Sequence, residues 1–550
     1  MSRYDVIISG GGPVGSLGAL LLAEQGLKVA LIEESKQVYP YPRAVSMDAF
    51  SLQTVKRLIG KRFEEFPTTP LHRAYYVLNR KDLTTPFAYA EVNDPHLSFV
   101  NWFEQPILES FLRDSIKEND LIDSFYGHSA LSIFSNDEGV HLRHMDSETG
   151  KIELVSGSYL LGCDGGGSMI RKQVGVSQTQ LGASTLFLIV DCKIDREKLC
   201  PLPEDLESGA FQIVDQKRPT TFIIMEAKNH GTLKKRVRFE FRLNPGDDFS
   251  RMQSKEGLNE ILAPYLETDH VEVQRSTVYK FNSLISENWR EKNIFVCGDA
   301  CHQTSPFTGQ GMNMGIRNTA NLVTKIALVL KGHSDESLLD RYQIECYDTT
   351  LDIIKESLFL GKALFNTTLP VNILRNTIHW LRGSGKNPIS ILDKVLPKPM
   401  ALPDMLASGL NPFNGMKYVS STPPRGSSLS AYQWVRILDK IGLNSYLMWT
   451  YPTHYRIICK DSKPKNIDSF EKLPDLIKPL IFILKEGQDN SKLESDSHFL
   501  VPDKKLFNKL FGGGVKYVIM AHQYMMIGTY REGEDQKMFD EFCGRFNFKK

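Results

Sequence analysis

Tyr4-Asp5-Val6-Ile7-Ile8-Ser9-Gly10-Gly11-Gly12-Pro13-Val14-Gly15 opens the chain. Val6, Ile7 and Ile8 form a short apolar run, the pattern of a parallel strand buried on both faces. Glycines then follow at G-x-G-x-x-G spacing. Gly10 permits a tight turn, Gly12 lets a phosphate approach the backbone, and Gly15 lets the next helix pack closely on the strand. The spacing predicts a helix from Val14 to Gln25, just after Pro13. Its free N–H groups and partial positive charge suit phosphates. Gly26 ends that helix, and Lys28-Val29-Ala30-Leu31-Ile32 reads as a second strand with Glu33 at its carboxyl end. An acid about 20 residues past the glycines accepts hydrogen bonds from ribose hydroxyls. Strand, turn, helix, strand and acid fall in order, so this segment is read as dinucleotide-binding.

The second informative stretch is Asn293-Ile294-Phe295-Val296-Cys297-Gly298-Asp299-Ala300, running on through Pro306 to Gly309-Gln310-Gly311-Met312-Asn313. An apolar strand ending in Gly-Asp is where a flavoprotein holds the ribitol and phosphate of FAD. The Asp299 carboxylate can accept from a ribitol hydroxyl. The helix expected after Gly311 favours negative charge on reduced flavin or a phosphate. The plainer alternative is an ordinary strand-to-turn transition. Asp164-Gly165, with Arg171, is either a tight turn or a contact near the pyrophosphate and the groove a nicotinamide cofactor visits. Arg43, in Pro42-Arg43-Ala44, suits pyrophosphate neutralisation, or is a solvated surface residue. Gln105 is a flavin hydrogen-bond donor or a helix-start residue. Arg113 and Ala130 complete the candidate cofactor-binding set. No second G-x-G-x-x-G has its own strand and acid, so NADH or NADPH would bind without a dedicated Rossmann domain. His302 is assigned no catalytic role, and no metal-binding pattern is present.

The chain has 550 residues, 41% of them apolar and 24% charged. That is ordinary for a globular protein of two to four domains. A net charge of +1 argues against a large nucleic-acid interface. The eight cysteines contain no Cys-x-x-Cys, which removes redox-dithiol and zinc-ribbon readings. No signal pattern opens the chain, and no uninterrupted apolar stretch reaches the ~18 residues of a membrane span. A cytoplasmic protein without a transmembrane segment is therefore expected, with a homodimer possible in principle through its C-terminal region.

The expected fold class is α/β, α+β overall. Residues 1–175 form the first segment of a discontinuous Rossmann-like FAD-binding domain. Residues 176–285 form an inserted antiparallel-sheet substrate domain, with strands at 184–193, 210–214, 220–226, 235–243 and 271–281. Arg236-Val237-Arg238-Phe239-Glu240-Phe241-Arg242 alternates with period two, giving one buried and one polar face. Residues 286–400 complete the FAD-binding domain, with a helix at 315–331 and helical character continuing to about 385. Clusters at 383–390 and 420–428 read as linkers. Residues 425–550 form a separate small α/β domain, in which Gly512-Gly513-Gly514 reads as a surface turn.

Together these residues resemble the class A flavin-dependent aromatic hydroxylases, the group of p-hydroxybenzoate hydroxylase and phenol hydroxylase. Within it, 3-(3-hydroxyphenyl)propionate hydroxylase-like enzymes are the most similar. They carry G-D-A-A-H-x-x-P-P-F-x-G-Q-G-M-N-x-G-I-R-D. Here the stretch is Gly298-Asp299-Ala300-Cys301-His302, then Pro306-Phe307-Thr308-Gly309-Gln310-Gly311-Met312-Asn313-Met314-Gly315-Ile316-Arg317-Asn318. Pro42-Arg43-Ala44, Gln105-Pro106, Arg113, Asp215, Arg218-Pro219, Glu240 and Pro245-Gly246 match as well. The resemblance spans about residues 1–385, and it implies a C-terminal thioredoxin-like domain without active cysteines. It implies that NAD(P)H reduces FAD, that O2 adds at flavin C4a, and that the hydroperoxide hydroxylates a phenolic or polyketide-like aromatic. Pro306 would lie near the substrate, and Arg43 and Gln105 would hold FAD as it moves. Same-fold alternatives are a flavin oxidase or dehydrogenase, or a non-catalytic redox sensor. Departures from the pattern are Cys301, Ser305 and Asn318, and Asp48-Ala49-Phe50-Ser51-Leu52-Gln53 where the family commonly has D-x-E-x-x-R.

Overall fold

Val6, Ile7 and Ile8 are fully buried because their strand, β1 (Arg3–Ser9), lies in the middle of a mainly parallel sheet. The computed structural model describes residues 3–365, apart from 72, 78–87, 92–99, 201–208, 216 and 226–233. Beyond these it describes 456–460, 465, 468–469, 473, 480–486, 498–501, 515–520, 526–531 and 533–543. The expected linkers, the helix past 365 and the Gly512-Gly513-Gly514 turn lie outside the described residues.

Around β1 stand β2 (Val29–Glu33), β3 (Ile122–Tyr126), β4 (His128–Asn136), β5 (Gly139–Asp146), β6 (Ile152–Gly162) and β7 (Ile294–Val296). β1 is parallel to β2 on one side and to β6 on the other, β3 extends beyond β2, and β7 adds to β6 by pairing Leu160 with Ile294. β4, β5 and the first half of β6 form an antiparallel meander. The sheet thus joins the two glycine motifs although they are far apart in sequence. Helix α1 (Pro13–Glu24) begins with Pro at its first turn and buries Leu17, Leu20, Leu21 and Leu22. Each such side chain contributes about 1.5–3 kcal/mol before ordering costs. Four further helices bear on the site: α2 (Gln105–Lys117), α3 (Met169–Gln173), α4 (Gly311–Leu330) and α5 (Arg341–Phe365). Helical character is not continuous after α4: the chain breaks at Gly332, whose φ is +76°, before α5 resumes.

A second, seven-stranded sheet runs in the order Glu272–Phe281, Thr185–Asp195, Lys234–Arg242, Thr220–Met225, Gly209–Ile213, Arg73–Val77, Ala88–Glu91. Five of these strands stand where short strands were expected, at 184–193, 210–214, 220–226, 235–243 and 271–281. The last two come from the segment assigned wholly to the nucleotide-binding domain. They belong here because Tyr75 and Val77 enter the same core as Phe211 and Ile213, with Tyr75 stacked on Phe211 at 5.0 Å. Arg73–Val77 pairs in parallel with Gly209–Ile213, which required a partner from elsewhere in the chain, and Ala88–Glu91 adds to it antiparallel.

Towards the C-terminus, Arg456–Lys460 is parallel to Leu480–Glu486, which is parallel to His498–Val501. Arg456–Lys460 is antiparallel to Val515–Met520, which pairs antiparallel with Met526–Arg531. A helix, Asp535–Cys543, follows. Among the described residues no helix is long and apolar enough to cross a membrane.

Candidate active site

The three motif glycines are required for different reasons. Gly10 has φ +103°, and a Cβ there would stand 2.4 Å from the Cys163 carbonyl oxygen. A Cβ at Gly15 would lie 1.9 Å from the Gly10 oxygen. Gly12 differs: its φ is −68° and its Cβ would meet nothing within 4 Å. Neither backbone conformation nor any described neighbour demands glycine at 12. What it keeps open is a cradle at the N-terminus of α1, where no side chain caps the helix, and a pyrophosphate fits that donor set.

Glu33 sits beside the cradle at the end of β2. Its carboxylate accepts from the Gly11 N–H at 2.6 Å and the Ser35 N–H at 2.8 Å, which leaves acceptor capacity for ribose hydroxyls. Arg113 is not at the cradle. It donates to the Lys36 and Ser35 carbonyls and lies 4.2 Å over the Tyr126 ring, so it fastens the chain leaving β2. Ala130 is a residue of β4 opposite His144 and packs beside the core of the meander.

Asp299 follows β7 in a single tight turn. It is open to solvent yet closely surrounded by protein, the setting of a cleft floor. Those surroundings push its carboxyl above the usual range, and the Arg43 guanidinium opposes the rise. Its carboxylate makes no hydrogen bond to another described residue. Asp164 is differently employed: it accepts from the Ser168 hydroxyl at 2.5 Å and the Ile170 N–H at 3.0 Å, capping α3. Arg171 donates to the carbonyls of Ala300 and Gly166, which binds the Asp164 turn to the Asp299 segment.

Pro306–Thr308 forms a tight turn closed by Gly309 at φ +62°. α4 then begins without a side-chain cap, leaving N–H donors at its mouth. Asn313 donates to the Ser46 and Gly309 carbonyls and accepts from the Asp48 N–H. Met312 packs against the core. These two side chains therefore hold the loop, and the α4 backbone is what remains to meet a ligand. Gln105 plays a similar role. Its oxygen accepts from the N–H groups of Arg43 and Ala44, and its nitrogen donates to Glu109. It is a helix-start residue that shapes the Pro42-Arg43-Ala44 loop, where Arg43 itself is exposed.

The second sheet closes over these loops. Leu188, Val190, Val237, Phe239 and Phe241 point into its own core, so Phe187, Ile189, Asp191, Arg238 and Glu240 share the opposite face. That face, polar by its alternation, is also buried. Arg238 makes a two-pronged pair with Asp191 at 2.7 and 3.1 Å and donates to the carbonyls of Arg43 and Pro42. Arg275 also donates to Pro42, and Arg236 pairs with Glu104. At the other end of the same strands, Phe187 meets Phe307 with ring centroids 5.9 Å apart.

Glu240 lies between these two points of attachment. It stands opposite Ile189 on one side and Thr221 on the other, two residue pairs from Arg238–Asp191. It is 8% exposed and has no hydrogen bond to a described residue. Burial pushes its carboxyl up to about 7; Arg238 opposes that shift and Asp191 adds to it. The role of this face escapes sequence reasoning, although three charges at alternate positions in a strand carrying Val237, Phe239 and Phe241 are a readable signal of buried polarity.

The departures from the family pattern face inward. Ser305 and Ser357 hydroxyls are 2.7 Å apart, and Asn318 bonds His302 Nε2 and the Thr350 hydroxyl. Each links the loop region to α5. Burial pushes His302 down to about 4, leaving it neutral within a packed network. Phe50 and Gln53 are buried, and the Gln53 amide has no partner.

Residues 3–357 match the family described as FAD binding domain, and the chain belongs to that family, with FAD as its cofactor. The chain is 31% identical over 392 residues to a 3-(3-hydroxy-phenyl)propionate/3-hydroxycinnamic acid hydroxylase of Mycolicibacterium smegmatis, a match covering 70% of this chain and 65% of the relative. It is 32% identical over 364 residues to a probable NADH-specific resorcinol 4-hydroxylase of Rhodococcus jostii, covering 65% of each. It thus spans slightly under two thirds of these relatives' length. The solved flavin-dependent monooxygenase PieE, in complex with FAD and substrate, has the same fold: TM-score 0.71, 16% identity, 99% of each chain covered. So does aklavinone-11 hydroxylase in a ternary complex with FAD and aklavinone: TM-score 0.68, 16% identity, covering 99% of this chain and 98% of that one.

Two tests follow from this geometry. Gly12→Val leaves the melting temperature of the flavin-free protein unchanged and weakens FAD about tenfold or more in a fluorescence titration, as expected for ~1.4 kcal/mol of lost phosphate contact. Unchanged affinity removes Gly12 from the phosphate site. Arg238→Met strands the buried Asp191 carboxylate and costs about 3–5 kcal/mol, read as a lower urea midpoint. A wild-type midpoint means that the pair does not hold the sheet to the loop.

Proposed function

We propose that this protein is an FAD-dependent monooxygenase that hydroxylates a phenolic or polyketide-like aromatic, with NADH or NADPH as reductant and O2 as oxygen donor. The carrying observation is Glu240: a buried carboxyl with no described partner, on a sheet face clamped to the Pro42-Arg43-Ala44 loop at one end and the Phe307 loop at the other. The names of the relatives support the same class of reaction.

Bound FAD supplies the redox chemistry, taking hydride from the nicotinamide and delivering one atom of O2 to the ring. The chain supplies binding and electrostatics. The α1 N-terminus and the space at Gly12 take the pyrophosphate, Glu33 the ribose, Asp299 the ribitol, and the α4 N-terminus the electron-rich edge of the flavin ring. Phe187, Ile189 and Phe307 form an apolar wall that limits water. Glu240 accepts the proton of the substrate's phenolic hydroxyl, raising electron density on the ring where oxygen is delivered. An acceptor is needed there because Arg238 is already committed to Asp191 and two carbonyls. Pro306, at the turn beside Phe307, lies at the substrate's edge in this reading.

Three domains fit this reading: a nucleotide-binding domain from residues 1–175 and 286–400 without the strands at 73–77 and 88–91, a substrate domain centred on 176–285 that takes in those two strands, and a C-terminal domain from 425–550. Three parallel strands extended by an antiparallel hairpin and a helix support a thioredoxin-like C-terminal domain. Cys163, Cys192, Cys200, Cys297, Cys301 and Cys346 are free thiols, in keeping with a reducing cytoplasm.

Labelled O2 separates this reading from an oxidase or dehydrogenase. Incorporation of label into a phenol, dependent on NADH or NADPH, supports it; flavin turnover with all label in peroxide or water overturns it. For Glu240 the expected sign is explicit. The base form appears as pH rises through about 7, so single-turnover hydroxylation rises through the same range. Glu240→Gln flattens this limb and slows hydroxylation on the order of 10²–10⁴-fold, while FAD binding is retained. A variant with the wild-type pH profile rules out Glu240 as the proton acceptor.

A further inference from the structure

We propose that His128, His144 and Glu153 form a site for one divalent transition-metal ion such as Zn2+, on the antiparallel meander and apart from the residues assigned to FAD and substrate. The placement follows from strand register. His144 on β5 stands directly opposite Glu153 on β6 and opposite Ala130 on β4. His128 is two residues before Ala130 on β4, so it shares the same face. The register of β5 on β4 shifts at Arg143/His144. One ligand-capable atom from each lies within 4.8 Å of the other two, and the His128 and His144 Nδ1 atoms are 2.9 Å apart.

Several observations favour an ion over packing alone. His144 is completely buried, and among the described residues its ring hydrogen-bonds only His128, through Nδ1. Burial and the neighbouring His128 push its pKa down, which keeps the imidazole in the neutral form that binds metals. Glu153 is held below the ordinary carboxylate range, chiefly by Lys151, and is ionised at neutral pH. Phe125 covers both rings at 5.0 and 5.6 Å, giving the site an apolar wall. Two imidazoles and one carboxylate are a donor set for zinc, with water as the fourth ligand. At bond lengths of about 2.0–2.1 Å, the paired nitrogens need to separate by only a few tenths of an ångström. The Lys151 ammonium, which donates to Glu153 Oε1, gives way or leaves the second oxygen for the ion; Asp146 is the other charged side chain beside His128. An ion here would pin β4 to β5 and β6 next to Gly127, whose N–H donates to the Glu33 carbonyl.

The test uses the full-length FAD-loaded protein, treated with chelator and then titrated with Zn2+ by calorimetry and with Co2+ by visible spectroscopy. Expected are one ion per chain, the absorption bands of four-coordinate Co2+, and at least tenfold weaker binding in both His128→Gln and Glu153→Gln. These two residues are preferred to His144 because they are only partly buried; circular dichroism and flavin content confirm that each variant is folded. Absence of binding leaves an imidazole–imidazole hydrogen bond and overturns the proposal. So does binding that is unchanged in both variants, which places the ion elsewhere.

Discussion

The Arg238–Asp191 pair is the contact on which the arrangement of this protein turns. A guanidinium buried in one sheet neutralises a carboxylate on the adjacent strand and spends its remaining N–H groups on two carbonyls of the Pro42–Arg43 loop. Such a pair is weak evidence for stability, because desolvation offsets much of the attraction. Its value here is positional. The carbonyls belong to the nucleotide-binding side of the molecule, so the pair sets where the second sheet's inner face sits relative to the cofactor loops. Glu240, two residue pairs along on the same face, inherits its position from that contact.

The nucleotide-binding half was legible from the sequence because its constraints are local. A turn that needs positive φ at Gly10, close helix packing at Gly15 and an acid at the end of β2 all act within about 30 residues. Five strands of the second sheet were legible as short strands, Lys234–Arg242 through its period-two alternation. What remained hidden depends on which distant segment comes alongside. Arg73–Val77 joins the second sheet through a parallel pairing with residues well over a hundred positions later. Gln105 and Asn313 show the same limit at the scale of one side chain. Their residue types announce a polar contact, but only the fold reveals that the partners are backbone groups of nearby loops.

The polar face of the second sheet is buried as well. Arg238 and Glu240 alternate with Val237, Phe239 and Phe241, and exposed charge is the ordinary expectation for such a strand. Burial of both faces follows from the sheet being sandwiched between its own core and the cofactor loops. The unusual residues at Ser305 and Asn318 are explained in a similar way: each finds a hydroxyl partner on α5. They keep the loop attached to that helix and do not line the cleft.

The late arrival of β7 bears on how the chain is made. β6 has no partner at Leu160–Gly162 on its outer side until residues 294–296 have been synthesised. During translation the first glycine loop emerges early, with one flank of its sheet still open, while the whole second sheet is produced. Long-range parallel pairings form slowly and leave unpaired edges exposed. Nascent chains therefore depend on holding that edge soluble through the middle of synthesis. Flavin added after the second motif appears would act as a latch on the finished nucleotide-binding sheet, so flavin supply would govern yield of folded protein as well as activity.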